Sequence, residues 1–261
     1  MVDINDFNKN MDEKGWHIFH EIIPMDLVNS MLSDMEKAYF TCREIQIKNN
    51  IPDNNEGTLH HLIELGQSYI DYLAVSEQFN ACFEHYFRGK YILNSFGGNI
   101  NRKGIMSYAR NIHRDIRTFS GDLPLLLNTL VMFDEFTHEN GATYLMSGSH
   151  RTHPELPTEE AFHAVAEQAI AKAGSVLVFN SNLWHRAGIN VTDQPRRSVT
   201  PMYCKPFIKQ QYDYSRALGY DNVEQYSPWL KQVLGFNARI PASLSEWYQP
   251  LENRMYKSDQ G

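Results

Sequence analysis

Cysteine is scarce in this chain. Cys42, Cys82 and Cys204 are the only three, an odd count at no metal-ligand spacing, which fits a reducing compartment better than a disulfide framework. Positive charge is the minority sign: 24 Lys and Arg stand against 31 Asp and Glu, for a net charge of −7. No cluster of Lys and Arg is present of the kind that neutralises phosphates, so no nucleic-acid partner is expected. No apolar run approaches the ~20 residues that cross a bilayer, which argues against a membrane partner. The opening run MVDINDFNKNMDEKG lacks the apolar stretch of a secretory signal. Internal repeats, low-complexity tracts and long linkers are also missing. These absences predict a soluble, cytoplasmic protein forming one domain over residues 1–261.

Aromatic residues are abundant, with 14 Phe, 14 Tyr and 4 Trp, enough to fill a large core. From Pro24, the positions Leu27, Val28, Met31, Leu32 and Met35 recur at helical spacing and predict an amphipathic helix. Residues 47–58 read as a polar loop. A second helical region follows from Leu62 to Phe87, with Phe79, Phe83 and Phe87 on one face.

After Gly89 the pattern changes. Tyr91–Phe96, Leu125–Phe133, Ala142–Met146, Val176–Phe179 and Arg197–Phe207 are short apolar or alternating runs. The turn residues Gly97-Gly98, Gly121-Asp122, Asn140-Gly141 and Gly148-Ser149 separate them. Short strands punctuated in this way predict a sandwich or jelly roll. Thr158–Ala173, with Glu159 and Glu160 in its first turn and Gly174 behind it, predicts an inserted helix. The aromatic-rich tail from Tyr212 to Pro250 reads as packing or a cover. The expected layout is a helical buttress over about 1–90, a β core over about 91–207 and a helical tail over about 208–261.

Three residues carry the chemistry. His113 and Asp115 lie in NIHRDIRT, and His185 lies in FNSNLWHRAGIN. Non-haem Fe(II) takes two imidazoles and one carboxylate on one face and keeps the other positions open. If the first pair lies in a strand, residues i and i+2 share a side, so His113 and Asp115 would face inward together while Arg114 faces away. His-x-Asp alone is a common accident. The triplet HRD also occurs in protein-kinase catalytic loops, but that motif needs Asn five residues on, where this chain has Ser120, and no glycine-rich phosphate loop is present.

Shortly after His185 come Arg196, Arg197 and Ser198. A guanidinium fork suits a dicarboxylate, and Ser198 would share the strand face of Arg196 while Arg197 points outward. The plainer alternative is an exposed strand start after the turn at Asp193-Gln194-Pro195. Arg102, Lys103, Arg110 and Arg117 flank the first ligand segment. A solvated basic edge is the simpler reading of these four, and contact with an anionic substrate is the other.

Together these residues resemble the phytanoyl-CoA dioxygenase family of Fe(II)/2-oxoglutarate oxygenases. The resemblance rests on His113-Arg114-Asp115, the stretch DEFTHENGATYLMSGSH from Asp134 to His150, the run AGSVLVF from Ala173 to Phe179, Trp184-His185, and Pro195-Arg196-Arg197-Ser198. The spacing from the second His to the cosubstrate Arg also matches, and Gly15-Trp16-His17-Ile18-Phe19 is similar to the family's N-terminal start. The resemblance implies a double-stranded β-helix, a cupin-like jelly roll with flanking helices. It further implies Fe(II) held by His113, Asp115 and His185, 2-oxoglutarate anchored by Arg196, and Asn128 facing the cosubstrate. The implied reaction is hydroxylation of a small-molecule substrate by O2, with release of succinate and CO2. Halogenases of the superfamily lack the carboxylate, so Asp115 favours hydroxylation. Two positions depart from better-known members: Ala187 stands where a small hydroxyl residue is common, and Arg114 where Gln or a small residue is. A cupin-like binding protein, or a metal enzyme without 2-oxoglutarate, remains the alternative. The substrate and the oligomeric state are not legible.

Overall fold

The structure, a computed structural model, describes residues 2–52, 56–105 and 107–260. Residues 53–55 of the polar loop predicted at 47–58 lie outside the described residues. In chain order the elements are α1 (Ile4–Glu13), β1 (Trp16–Phe19), α2 (Met25–Lys48), β2 (Thr58–Leu59), α3 (Gln67–Val75), α4 (Asn80–Phe87) and β3 (Ile92–Asn101). There follow β4 (Leu126–Met132), β5 (Tyr144–Met146), α5 (Ser149–Thr152), α6 (Glu159–Val165), β6 (Ala166–Gln168), β7 (Val176–Asn180), β8 (His185–Arg186) and β9 (Arg196–Cys204). Three short helices close the chain, α7 (Tyr214–Ala217), α8 (Pro228–Val233) and α9 (Leu244–Trp247).

The strands form two antiparallel sheets, a six-stranded one in the order β1-β7-β4-β9-β3-β2 and a three-stranded one in the order β6-β5-β8. Their alternating side chains make the two faces of the large sheet distinct. On β7, Val176 and Val178 join the core beneath the helices, whereas Leu177 and Phe179 join the core shared with the small sheet. On β4, Leu127 and Val131 face the helices, while Leu130 and Met132 face inward. Asn128 has the inward parity of Leu130 and Met132. The helical side packs Val28, Met31 and Met35 of α2, together with Phe79, Phe83 and Phe87, against Leu93, Phe96, Val199 and Tyr203. This is the jelly roll with flanking helices that the sequence predicts. No helix among the described residues is long and apolar enough to cross a membrane.

Two expectations need correction. The helix predicted over Thr158–Ala173 stops at Val165, and Ala166–Gln168 instead pair with β5 as β6. The free edge of β5 and a partner set for Glu167, which accepts from Ser147 Oγ at 2.6 Å and pairs with Lys14 at 3.3 Å, outweigh local helix preference. Gly97-Gly98 is no turn but lies inside β3, where side chains would not fit: a Cβ at Gly97 would stand 2.7 Å from Thr200 Oγ1. The helical region expected from Leu62 to Phe87 is present, as α3 and α4 with 3-10 turns at Leu62–Leu65 and Ser76–Phe79. The tail divides in function. Tyr214, Leu230, Val233 and Phe236 complete the helical core, and Trp229 donates to the Leu73 carbonyl at 2.9 Å.

Gly15 joins α1 to the first strand with φ of +84°, and a Cβ there would overlap the buried His150 ring. Both the left-handed backbone and the contact disfavour any side chain. Gly15→Ala is expected to destabilise the protein by about 1–3 kcal/mol in denaturant unfolding; a change within experimental error would refute this reading of the junction.

Candidate metal centre

The two histidines are brought together by their own backbones. His113 N donates to the His185 carbonyl and His185 N to the His113 carbonyl, both at 3.0 Å, the reciprocal bonding of one antiparallel pair. The sequence places His113 in a strand, but only this isolated bridge forms, and Asp115 sits in a bend beyond it. The outcome resembles the expected one because the turn after the bridge brings the carboxylate back. Asp115 Oδ1 lies 3.8 Å from His113 Nε2, and Oδ2 lies 3.5 Å from His185 Nε2. The three ligand atoms all fall within 4.8 Å of one another, a set able to hold a metal ion.

Neighbouring carbonyls fix the tautomers. Nδ1 of His113 lies 2.8 Å from the Asn111 carbonyl, and Nδ1 of His185 lies 3.0 Å from the Leu183 carbonyl. A carbonyl only accepts, so each Nδ1 carries a hydrogen, which leaves Nε2 as the nitrogen of each ring that can ligate. Burial, with His113 adding to it, pushes the His185 imidazole down to about 4, so the ring is neutral at physiological pH and ready to ligate. Phe179 meets it edge-on at 4.7 Å. Asn128 Nδ2 donates to Asp115 Oδ2 at 2.5 Å, and Ser181 Oγ donates to Asn128 Oδ1 at 3.4 Å. The structure thus places Asn128 on the carboxylate of the triad.

The opposite wall comes from the large sheet. Arg196 and Ser198 sit on β9 in register with Asn101 and Asn99 of β3, and both are buried, at 2% and 0% exposure. Arg197 between them turns to the other face, donating to Asp134 at 2.7 and 3.0 Å. Arg196 has no carboxylate partner among the described residues. Its guanidinium lies over Phe136 at 4.3 Å and reaches only Thr143 Oγ1 and Asn99 Oδ1, each at 3.5 Å. Arg196 Nε and Ser198 Oγ are buried with no hydrogen-bond partner among the described residues. Burial pushes the Arg196 guanidinium down to about 10, which still leaves it charged at neutral pH. A buried cation without an anion is costly unless something compensates it.

Both walls face one cavity of about 470 Å³, lined by His113, Asp115, His185, Asn128, Arg196 and Ser198 among others. Ala187 lines it too, so the departure noted in sequence falls at the site. Sequence reasoning did not identify Asn99, Thr143 or Ser181. Asn99 could have been found by treating Gly97-Gly98-Asn99 as strand, because its pairing opposite Ser198 then follows. Thr143 and Ser181 carry no such signal. Arg114, which departs from the family pattern, is held against the Trp184 ring at 3.9 Å and donates to the His153 carbonyl at 2.6 Å.

A jelly roll with two histidines and a carboxylate gathered between its sheets, opposite a buried arginine, defines a cupin-like metal-site architecture. More specifically, residues 11–198 match the phytanoyl-CoA dioxygenase (PhyH) profile, and the chain belongs to that family. An uncharacterized protein of Mycobacterium tuberculosis is 37% identical over 150 residues, covering 57% of this chain and 54% of its own length. The dioxygenase af480 of Aspergillus fumigatus is 29% identical over 150 residues, covering 56% of this chain and 48% of its own. The chain thus spans about half the length of these curated relatives.

Among solved structures, EctD from S. alaskensis with 2-oxoglutarate and 5-hydroxyectoine superposes with a TM-score of 0.62 at 16% identity, covering 78% of this chain and 76% of its own. HygX from Streptomyces hygroscopicus with iron bound gives 0.61 at 13%, covering 82% and 92%. The non-heme α-ketoglutarate-dependent epimerase SnoN from nogalamycin biosynthesis gives 0.58 at 14%, covering 77% and 82%. At such identities the likeness establishes the fold.

Proposed function

We propose that the chain is a single-domain Fe(II)/2-oxoglutarate-dependent dioxygenase that hydroxylates an unactivated C–H of a small molecule, releasing succinate and CO2. One observation carries this reading: a His-Asp-His set and a buried arginine with no ion-pair partner among the described residues line one cavity. The residues fit the groups they would hold. Two Nε2 lone pairs and a carboxylate are the donor set of a facial iron site, and the unpartnered Arg196 Nε and Ser198 Oγ suit a distal carboxylate. PhyH membership and the 2-oxoglutarate and iron in the structures of EctD and HygX support the same assignment.

In this reading His113, Asp115 and His185 hold Fe(II), and Arg196 with Ser198 holds 2-oxoglutarate. When bound, iron and cosubstrate supply the activation of O2, which no side chain here can. The chain binds and orients. The Nδ1–H bonds to Asn111 and Leu183 fix both rings, Asn128 steadies Asp115, and Phe179 and Leu130 shield the inner wall from water. Asn128 thereby becomes an outer-shell partner of the metal. Asn128→Leu should weaken Fe(II) affinity by about 10–100-fold, read by chelator competition; unchanged affinity would return Asn128 to the cosubstrate role implied by the family.

The test is incubation of the purified protein with Fe(II), 2-oxoglutarate and a metabolite extract, scored for succinate and for a metabolite that gains one oxygen. Stabilisation by 2-oxoglutarate should grow with its concentration over Kd. If 2-oxoglutarate neither binds nor raises the Tm of the Fe(II)-loaded protein, a cupin-like binder or an enzyme without this cosubstrate becomes the better reading.

A further inference from the structure

We propose that the substrate carries an anionic group, a carboxylate, phosphate or sulfate, and that Arg117 receives it at the cavity wall. This rests on the reading of the cavity as an Fe(II)/2-oxoglutarate site. Of the four cations flanking the first ligand segment, the structure disposes of three. Arg102 pairs with Glu56 at 3.1 Å, Lys103 pairs with Asp193 at 2.8 Å, and Arg110 is buried and engaged outside the cavity lining. Arg117 lines the cavity, is exposed, and has no hydrogen bond, ion pair or ring contact among the described residues.

The charge of the lining points the same way. Among the described residues Asp115 is its only carboxylate, against Arg114, Arg117 and Arg196. A divalent metal and Arg196 together balance Asp115 and a doubly charged cosubstrate, so the loaded centre is neutral. Arg114 is taken up by the Trp184 face and the His153 carbonyl. Two positive charges are left over, on Arg114 and Arg117, within a chain of net charge −7, and of the two only Arg117 has no contact already holding its guanidinium among the described residues. A positive, partly enclosed wall on an acidic protein concentrates small anions and orients them, and a guanidinium grips an oxyanion with two parallel hydrogen bonds. The neutral polar groups of His60, Ser95 and Gln211 also line the cavity and could complete the contacts to such a group.

Geometry limits where the anion sits. Arg117 is two residues beyond Asp115, so their Cα atoms are at most about 7 Å apart, and the arginine stem adds its own length. The anionic group is therefore several bonds from the carbon presented to the triad, at the far end of a substrate small enough for about 470 Å³.

The experiment is calorimetric titration of the full chain with C6–C10 alkyl carboxylates, alkyl phosphates and alkyl sulfates. The corresponding alcohols and amides serve as neutral controls. Titrations are run anaerobically with Fe(II) and 2-oxoglutarate present, and again with neither. The loaded wild type should bind at least one anion series tenfold or more tighter than its neutral counterpart, and the preferred series names the anion. Arg117→Gln should remove that preference, and Arg117→Lys should keep part of it. The cosubstrate reading has its own readout: if 2-oxoglutarate does not bind the wild type, that reading fails. If 2-oxoglutarate binds and the wild type does not discriminate anions from neutral controls, or if Arg117→Gln discriminates as well as the wild type, the inference about Arg117 is overturned.

Discussion

Asp115→Gly should leave a folded protein that neither retains Fe(II) nor forms succinate. The fold survives because Asp115 is exposed, in a bend outside both sheets, and such substitutions usually move stability by less than about 0.5 kcal/mol. The site does not survive, because the carboxylate is the one anionic donor beside the two imidazoles. Its removal takes away a third of the donor set and the charge that offsets the cation. The loss in metal affinity should exceed the about 10–100-fold typical of losing an outer-shell partner. Succinate formation with any true substrate should fall to background even at excess iron. Glycine leaves space at the position, so the readout must include metal content and reaction products as well as succinate. Unchanged turnover would remove Asp115 from the ligand set, and with it the iron assignment.

Arg196→Met should separate stability from function more sharply than any other substitution. Arg196 is buried with long contacts and no ion-pair partner among the described residues, and burial disfavours its charged form more than the charge of Asp134 favours it. Arg196 makes no ion pair among the described residues, so an apolar side chain of similar length removes the cost of burying its charge and leaves no paired carboxylate stranded. The methionine would keep the contact with the Phe136 face. The metal-loaded variant without 2-oxoglutarate should therefore melt no lower than the wild type. Affinity for 2-oxoglutarate should drop steeply. Truncating one partner of a buried, hydrogen-bonded charge pair costs about 2–5 kcal/mol, or between about thirtyfold and a few thousandfold in Kd. The rise in Tm that saturating 2-oxoglutarate gives the wild type should vanish with it. A variant that melts far below the wild type would mean that Arg196 is part of the scaffold. A variant that binds 2-oxoglutarate normally would mean that the cosubstrate is held elsewhere.

The fold was largely legible because Leu125–Phe133 and Val176–Phe179 are short, mostly apolar runs bounded by turn residues, the pattern of strands buried on both faces. The elements that the sequence hid are the ones whose identity is set by a partner. Ala166–Gln168 is a strand because β5 offers it an edge, and Gly97-Gly98 is strand interior because Thr200 and Leu62 press on it. Neither influence is local. At the candidate site, spacing nominated His113, Asp115, His185, Arg196 and Ser198, the family resemblance added Asn128, and the structure brings all six to one cavity. Spacing could not reveal the means. His113 and Asp115 do not share a regular strand; His113 is locked to His185 by one pair of backbone bonds, and a bend returns the carboxylate. Likewise, Asn128 was marked as facing the cosubstrate, whereas its amide meets Asp115. Arg117 could not be told from its basic neighbours, because the sequence does not say which cations find acids. Glu56 and Asp193 lie far along the chain from the site segment, and only folding pairs them with Arg102 and Lys103.

The central claim is that His113, Asp115 and His185 hold iron while Arg196 holds 2-oxoglutarate. Anaerobic co-crystallisation with Fe(II) and 2-oxoglutarate, with anomalous diffraction measured at the iron edge, tests it most directly. The expected result is one anomalous peak within bonding distance of Nε2 of both histidines and a carboxylate oxygen of Asp115, with the dicarboxylate's distal end on Arg196. Iron bound away from these three side chains, or a dicarboxylate that does not touch Arg196, would contradict it.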